Sequence, residues 1–466
     1  MTVVGADAAP AAPSRWGVLA TVCLALGVIA VNTTAINTAL PAIGEELDAS
    51  ASSLTWAVNA YLLAVAALVT VGGQLGDVFG EQRAFAAGVL VFAAGSICVA
   101  AAPDIWVVVV GRTLQGTGAA LLMPGTIAII SEAFAPAERG TAIGIWGAIG
   151  GISFAVGPLY GGFFTDVLDW RLMFWADLLF LGVALVLSRM MLRGLAPGRG
   201  GRIDVPGAVL LTTGLFLVVL AIERATDWGW ASPTFLVVFA AGVLLLAVFV
   251  VVELRRARPI VHLRLLRIRG FLGGNLATFG NAVGLIGLLY FFNLYVQAPE
   301  TFDYSALRTS VVLLPYGITM FFFSIIGGRL ADRIGYRWPV AVSLLVAAAG
   351  FAVFSGFDAS TSESDLWLPM VLTGVGVGAT FSTTSAAGMV AVPDDMAGEA
   401  AGVINMFRYA GAVFVVTVGS VLYGDPTTRD ATVDGFDDAS LLMAVSMCLA
   451  GVVSAVLLQS RRLAGG

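Results

Sequence analysis

The chain has 466 residues, of which 59% are hydrophobic and only 12% charged. A soluble domain carries about a quarter charged residues, so the composition excludes one and points to a chain solvated mostly by lipid. The net charge of −6 is a property of the loops and gives no basis for a nucleic-acid partner.

A membrane-spanning helix needs roughly 20 apolar residues, and fourteen stretches qualify. In chain order they are Trp16 to Leu40, Leu54 to Gln74, Ala84 to Ala102, Ile105 to Ile130, Thr141 to Thr165, Arg171 to Leu192, Val205 to Arg224, Pro233 to Glu253, Gly270 to Gln297, Ser305 to Gly328, Arg337 to Phe357, Asp365 to Val390, Gly398 to Tyr423 and Ser440 to Gln459. Span 1 follows a short Ala/Pro-rich lead and has no small-residue cleavage site near its end, so it is expected to be retained rather than removed as a signal peptide.

Lysine is absent and every cation is arginine. With the N-terminus inside, eighteen arginines fall in inner segments, including Arg15, Arg199, Arg202, Arg258, Arg461 and Arg462. The outer segments hold four, Arg171, Arg224, Arg308 and Arg429, while acids such as Glu45, Glu46, Asp434 and Asp437 fall outside. The positive-inside rule then places both termini in the cytoplasm. The lysine-free, Ala/Gly-rich composition suggests a GC-rich bacterial genome and hence a bacterial plasma (inner) membrane.

Two loops repeat one pattern, Gly-x-Leu-Gly/Ala-Asp-x-x-Gly followed by Arg. The first holds Gly73, Asp77 and Arg83, and the second Gly328, Asp332, Arg333 and Arg337. Such internal duplication is how many secondary transporters are built. The first copy follows span 2 and the second follows span 10, an offset that implies an extra pair of spans between two six-span halves. The expected division is a tail at 1–15, a six-helix bundle at 16–192, an inserted pair with basic linkers at 193–269, a second six-helix bundle at 270–460 and a tail at 461–466.

Cys23, Cys98 and Cys448 have no metal-ligand spacing and read as small core residues. The only histidine, His262, falls in a basic loop and reads as solvated. No metal or cofactor is expected. Without lysine the chain cannot form a Gly-x-x-x-x-Gly-Lys-Ser/Thr phosphate loop, so ATP is not expected to drive it.

On these residues the chain resembles the 14-span drug:proton antiporter branch of the major facilitator superfamily over nearly its whole length. The repeated loop matches motif A, whose Asp is expected to cap the next helix and meet an Arg across the halves. Val110 to Ala120, around Arg112, matches motif B. Gly147 to Gly162 matches the antiporter motif C and includes Gly151, Gly157, Pro158 and Gly161. Gly147 and Gly151 are expected to let helix backbones touch, and Gly157-Pro158 to kink span 5. In the family this motif accompanies exporters. Smaller matches occur at Asn37 to Pro41, at Trp56 with Tyr61, at Asp169 to Arg171, at Ile203 to Gly207, and at Ala397 to Gly402 leading to Asn405 and Arg408.

The chain departs from the family in span 1, where Asn32 occupies the usual Asp position and cannot titrate. A buried charge in a membrane helix is costly and usually functional, so Arg112, Asp177 and Arg408 are the expected proton-coupling charges. Asp177, where the family has Asn, is expected to take over the missing carboxylate role. Residues expected to line a substrate cavity are Asn32, Asn37, Asn59, Gln115, Trp146, Asn293, Gln297, Phe381 and Asn405, because an unpaired amide in lipid is expensive. Two buried cations against one acid favour neutral, zwitterionic or anionic substrates over quaternary cations.

The resulting expectation is an all-α membrane protein of the major facilitator fold, with two six-helix bundles plus two inserted helices. Its function is export of small amphipathic molecules by proton antiport and alternating access, as a monomer in a lipid bilayer. An uncoupled facilitator or lipid translocator of the same fold is the alternative, supported by Asn32. A non-transporting receptor would not need a buried arginine in both halves, and an enzyme lacks a nucleophile with its base.

Overall fold

A computed structural model of the chain describes residues 14–193, 198, 200, 203–256, 259, 261–358, 360–393 and 396–458. Most of both tails and Arg199, Arg202, Arg258, Arg461 and Arg462 lie outside the described residues. Within them the elements are all helical: α1 (Arg15–Glu46), α2 (Ala51–Phe79), α3 (Glu81–Ala100), α4 (Ile105–Ala133), α5 (Pro136–Val167), α6 (Trp170–Met191), α7 (Val205–Glu223), α8 (Ala225–Trp228), α9 (Pro233–Arg255), α10 (Arg269–Gln297), α11 (Ala306–Val312), α12 (Leu314–Ile334), α13 (Arg337–Phe354), α14 (Trp367–Phe381), α15 (Thr383–Met389), α16 (Ala397–Tyr423) and α17 (Arg429–Leu457). Fourteen segments are long and apolar enough to cross a membrane, one for each expected span.

Local chemistry sets the helix starts. Asp104, Asp169, Asp204 and Thr428 each accept a hydrogen bond from a backbone N–H of the first turn they precede, filling donors that have no partner within the helix. Two expected spans are interrupted. The stretch from Ser305 divides into α11 and α12 at Leu313, where Pro315 in the first turn of α12 removes a backbone donor. The stretch from Asp365 divides into α14 and α15 at Ser382.

The repeated loops close differently from expectation. Asp77 and Asp332 are exposed and cap no helix among the described residues. The residues that precede α3 and α13 are Gly80 and Tyr336, neither with a side-chain cap bond. The turns rely instead on Gly80 and Gly335, at φ of 96° and 86°, a left-handed region open to glycine at little steric cost.

Helices α1 to α6 pack on one another, chiefly α2 and α3 on α4 and α1 on α5, while α10 packs on α16 and α17, and α14 on α12 and α13. The two groups meet where α2 runs along α16, where α5 meets α11 and where α1 touches α10. Helix α7 pairs with α9 and also touches α2 and α16. The outward faces are apolar, as a lipid-solvated surface requires; on α9 Val237 is 68% and Leu244 63% exposed. The cysteines divide by depth rather than sharing a core: Cys23 is buried, Cys98 half-buried and Cys448 exposed. His262 is not simply solvated, since its Nδ1 lies 3.3 Å from Glu399 at the start of α16.

Candidate functional site

At the heart of the first helix group, a chain of side chains joins three helices. Arg112 of α4 is fully buried. Its Nη1 donates to Asn32 Oδ1 at 2.6 Å and to Gln115 Oε1 at 2.8 Å, and its Nε donates to the Ala57 carbonyl at 3.2 Å. The guanidinium lies 4.3 Å from the centre of the Tyr61 ring, a cation–π contact that strengthens on leaving water. Asn32 of α1 then donates from Nδ2 to Asp177 Oδ2 of α6 at 2.7 Å. Asn32 therefore bridges the cation and the acid, and its amide serves both because it carries a donor and an acceptor. Asp177 is only 3% exposed, and among the described residues its hydrogen-bonded link toward Arg112 runs through that amide.

The other residues singled out in the sequence fall into separate groups. Gln115 turns toward α3, donating to Ser96 at 2.9 Å. Gln297 donates to the Thr38 carbonyl at 3.2 Å and to Asn293 at 3.0 Å, which ties α10 to α1. Asn37 is buried, and among the described residues neither its amide oxygen nor its nitrogen has a hydrogen-bond partner. Trp146 and Asn405 are half-buried. Arg408 of α16 donates to Ser385 at 2.7 Å and lies 5.4 Å from the Phe381 ring centre. With Thr33, Phe154 and Asn281 it lines a void of about 20 Å³ between the helix groups.

A larger cavity, about 360 Å³, shares Phe154 and Leu285 with this void and lies between α5 and α10 to α12. Its walls include Phe154, Pro158, Leu285, Leu289 and Tyr316, and none of the polar residues named from the sequence lines it. We place the candidate coupling site at the Arg112 network because the charges lie there.

The glycines of α5 also divide by function. A side chain at Gly157 would strike Thr34, and one at Gly161 would strike the Ala35 backbone, so these two let α5 press on α1. Gly162 faces Ser310 and Ala306 of α11. Gly147 has open space beside it and Gly151 meets only Phe381, so the expected contact pair is displaced two to three turns along the helix. Nearby, Ser310 donates to the Pro158 carbonyl at 2.6 Å. Both oxygens of Asp166 on α5 accept from the Ala306 and Leu307 backbone N–H groups, at 3.1 and 2.8 Å. This cap across the two groups was not foreseen, because Asp166 is far from α11 in sequence.

Reasoning from sequence also missed Glu223. It ends α7, is 8% exposed, and its Oε1 accepts from Asn59 Nδ2 of α2. The same nitrogen donates to Thr417 Oγ1 of α16 at 3.0 Å. An acid next to Arg224 at a span end looks like an ordinary interfacial pair, and Arg224 instead pairs with Asp227 at 3.0 Å.

Two groups of helices, with fourteen segments long and apolar enough to cross a membrane, make a multi-pass membrane protein built like a secondary transporter. A sequence profile described as Major Facilitator Superfamily matches residues 22–416, and the chain belongs to that family. It is 34% identical to the puromycin resistance protein pur8 of Streptomyces alboniger over 96% of this chain and 92% of that protein. It is 31% identical to the cephamycin export protein CmcT of Amycolatopsis lactamdurans, covering 93% and 91% of the two chains. Among solved structures, a peptide transporter POT in complex with sulfate aligns with a TM-score of 0.69 at 16% identity, covering 95% and 96% of the two chains, which is a likeness of fold.

Proposed function

We propose that this protein exports small amphipathic molecules, drugs or metabolites, from a bacterial cell by proton antiport. Both termini and the repeated loops face the cytoplasm, and one chain is the working unit. Residues 16–192 and 270–460 act as the two bundles that rock about the centre, with 193–269 inserted between them. The relatives named for antibiotic resistance and export support the direction of transport. The observation that carries proton use is the Arg112–Asn32–Asp177 chain. A buried carboxyl beside a fixed cation can take up a proton and release it when its surroundings change. Asn32 cannot titrate, so it transmits orientation between the other two.

Glu223 joins Asp177, Asp204 and Glu253 as buried acids, four against the buried Arg112 and the half-buried Arg408. The charge count therefore no longer disfavours cationic substrates, and substrate class must be read by assay. The test is reconstitution in liposomes with a panel of neutral, anionic and cationic amphipaths under an imposed pH gradient. Uptake into inverted vesicles that rises with an acidic lumen supports antiport. Equal flux with and without the gradient favours an uncoupled facilitator.

A further inference from the structure

The inserted pair is more than a spacer, because both ends of α7 are bound to α2. At one end the Asp204 backbone N–H donates to Gln74 Oε1 at 3.4 Å, and Gln74 Nε2 donates to the Pro259 carbonyl at 3.4 Å. At the other end, Glu223 accepts from Asn59, the amide that also reaches Thr417. One side chain thus joins the inserted helix, a helix of the first group and a helix of the second. Trp56 packs on Phe216 nearby, with ring centres 5.8 Å apart, and adds apolar cover to the same seam.

The groups that face Glu223 are Asn59 from α2, Thr417 from α16, and Tyr290 from α10, whose hydroxyl is bonded to Thr55 at 3.0 Å. On its own stretch are Arg224 and Asp227, which pair with each other. No salt bridge to Glu223 occurs among the described residues. Asn59 Oδ1 is buried and has no hydrogen-bond partner among the described residues, and an orphan acceptor in an apolar seam is costly. A carboxylate has no proton to offer it, whereas a neutral carboxyl has one. The site is therefore better satisfied when Glu223 carries a proton, its O–H donating to Asn59 Oδ1 while Asn59 Nδ2 donates back.

We propose that Glu223 is a second proton-binding site, which latches the inserted helix onto the α2–α16 seam when protonated and releases it when ionised. The step is a simple proton transfer: water at this end delivers a proton to the Glu223 carboxylate, and the same O–H bond breaks when the seam opens. Direction rests on the orientation and proton use proposed above. With this end outside, an entering proton closes the outer seam after substrate has left.

The test uses infrared pH-difference spectroscopy on the full protein in lipid nanodiscs. Two protonated-carboxyl C=O bands are expected, one lost in Asp177→Asn and the other in Glu223→Gln, whose amide keeps the contact with Asn59. Asn59→Leu, a second variant should Glu223→Gln misfold, is expected to shift the Glu223 band. Spin labels at Trp230→Cys and Ala51→Cys, with the three native cysteines replaced, are expected to separate as pH rises and to stay at one distance in Glu223→Gln. A carboxyl spectrum unchanged by Glu223→Gln, or a distance that still responds to pH in that variant, overturns the proposal. The Asp177→Asn spectrum reports separately on the proposed proton use at the Arg112 network.

Discussion

The amide nitrogen of Asn32 lies 2.7 Å from Oδ2 of Asp177, although the two residues are 145 positions apart. Asn32 occupies the position where the resembled family carries its span 1 acid. In this chain the carboxyl sits one hydrogen bond further from Arg112, on α6 rather than on α1.

That relationship predicts a rescue. Asp177→Asn should remove the part of the pH dependence of transport that the Arg112 network carries, leaving the part proposed for Glu223. The double variant Asn32→Asp with Asp177→Asn moves the carboxyl to α1, directly against Arg112, and should restore it. Asn32→Asp alone puts two carboxyls in contact, which cannot both ionise freely, and should shift the pH profile of uptake. Flux measured across a pH series in liposomes decides among these; a double variant no more pH-dependent than Asp177→Asn would count against the proton role.

Arg112 holds Asn32, Gln115 and the Ala57 carbonyl at once. Arg112→Leu should strand those partners and destabilise the fold by about 3–5 kcal/mol, the usual cost of breaking a buried charged network. Arg112→Lys should fold but lose the forked geometry, with transport reduced by about tenfold or more, equivalent to ~1.4 kcal/mol. Thermal unfolding in detergent and initial uptake rates separate the two effects.

The α5 glycines should differ sharply in tolerance. Gly161→Val forces a side chain into the Ala35 backbone and should cost about 1–3 kcal/mol by overpacking. Gly147→Ala meets open space and should change stability by no more than about 0.5 kcal/mol. Unfolding midpoints of the two variants give the comparison, and equal losses would contradict the assigned helix contact.

Asp166 caps α11 from the opposite helix group. Asp166→Ala should remove about 0.5–2 kcal/mol of capping energy and weaken the closed contact between α5 and α11. Spin labels on Leu168 and Arg308 should then report a larger share of long distances than in the unmodified protein.

The number of membrane helices, the duplication and the buried pair Arg112 and Asp177 were legible in the sequence because each rests on a local or periodic property. An apolar run long enough to span lipid reads the same in any tertiary setting. A repeated Gly-x-Leu-Gly/Ala-Asp turn is visible without coordinates, and so are Arg112 and Asp177 as charges in apolar runs. What those charges touch was not legible. The bridge through Asn32, the cap by Asp166 and the closure of the seam by Glu223 join residues more than a hundred positions apart, and no short-range pattern encodes such pairs. The glycine contacts on α5 were misplaced for the same reason, since spacing shows that a helix face is smooth but not where a neighbour crosses it. The sequence by itself determined a duplicated helical membrane protein with costly charges inside it. The tertiary structure alone decided which partner satisfies each charge, because in a low-dielectric interior that choice depends on which helices cross at the same depth.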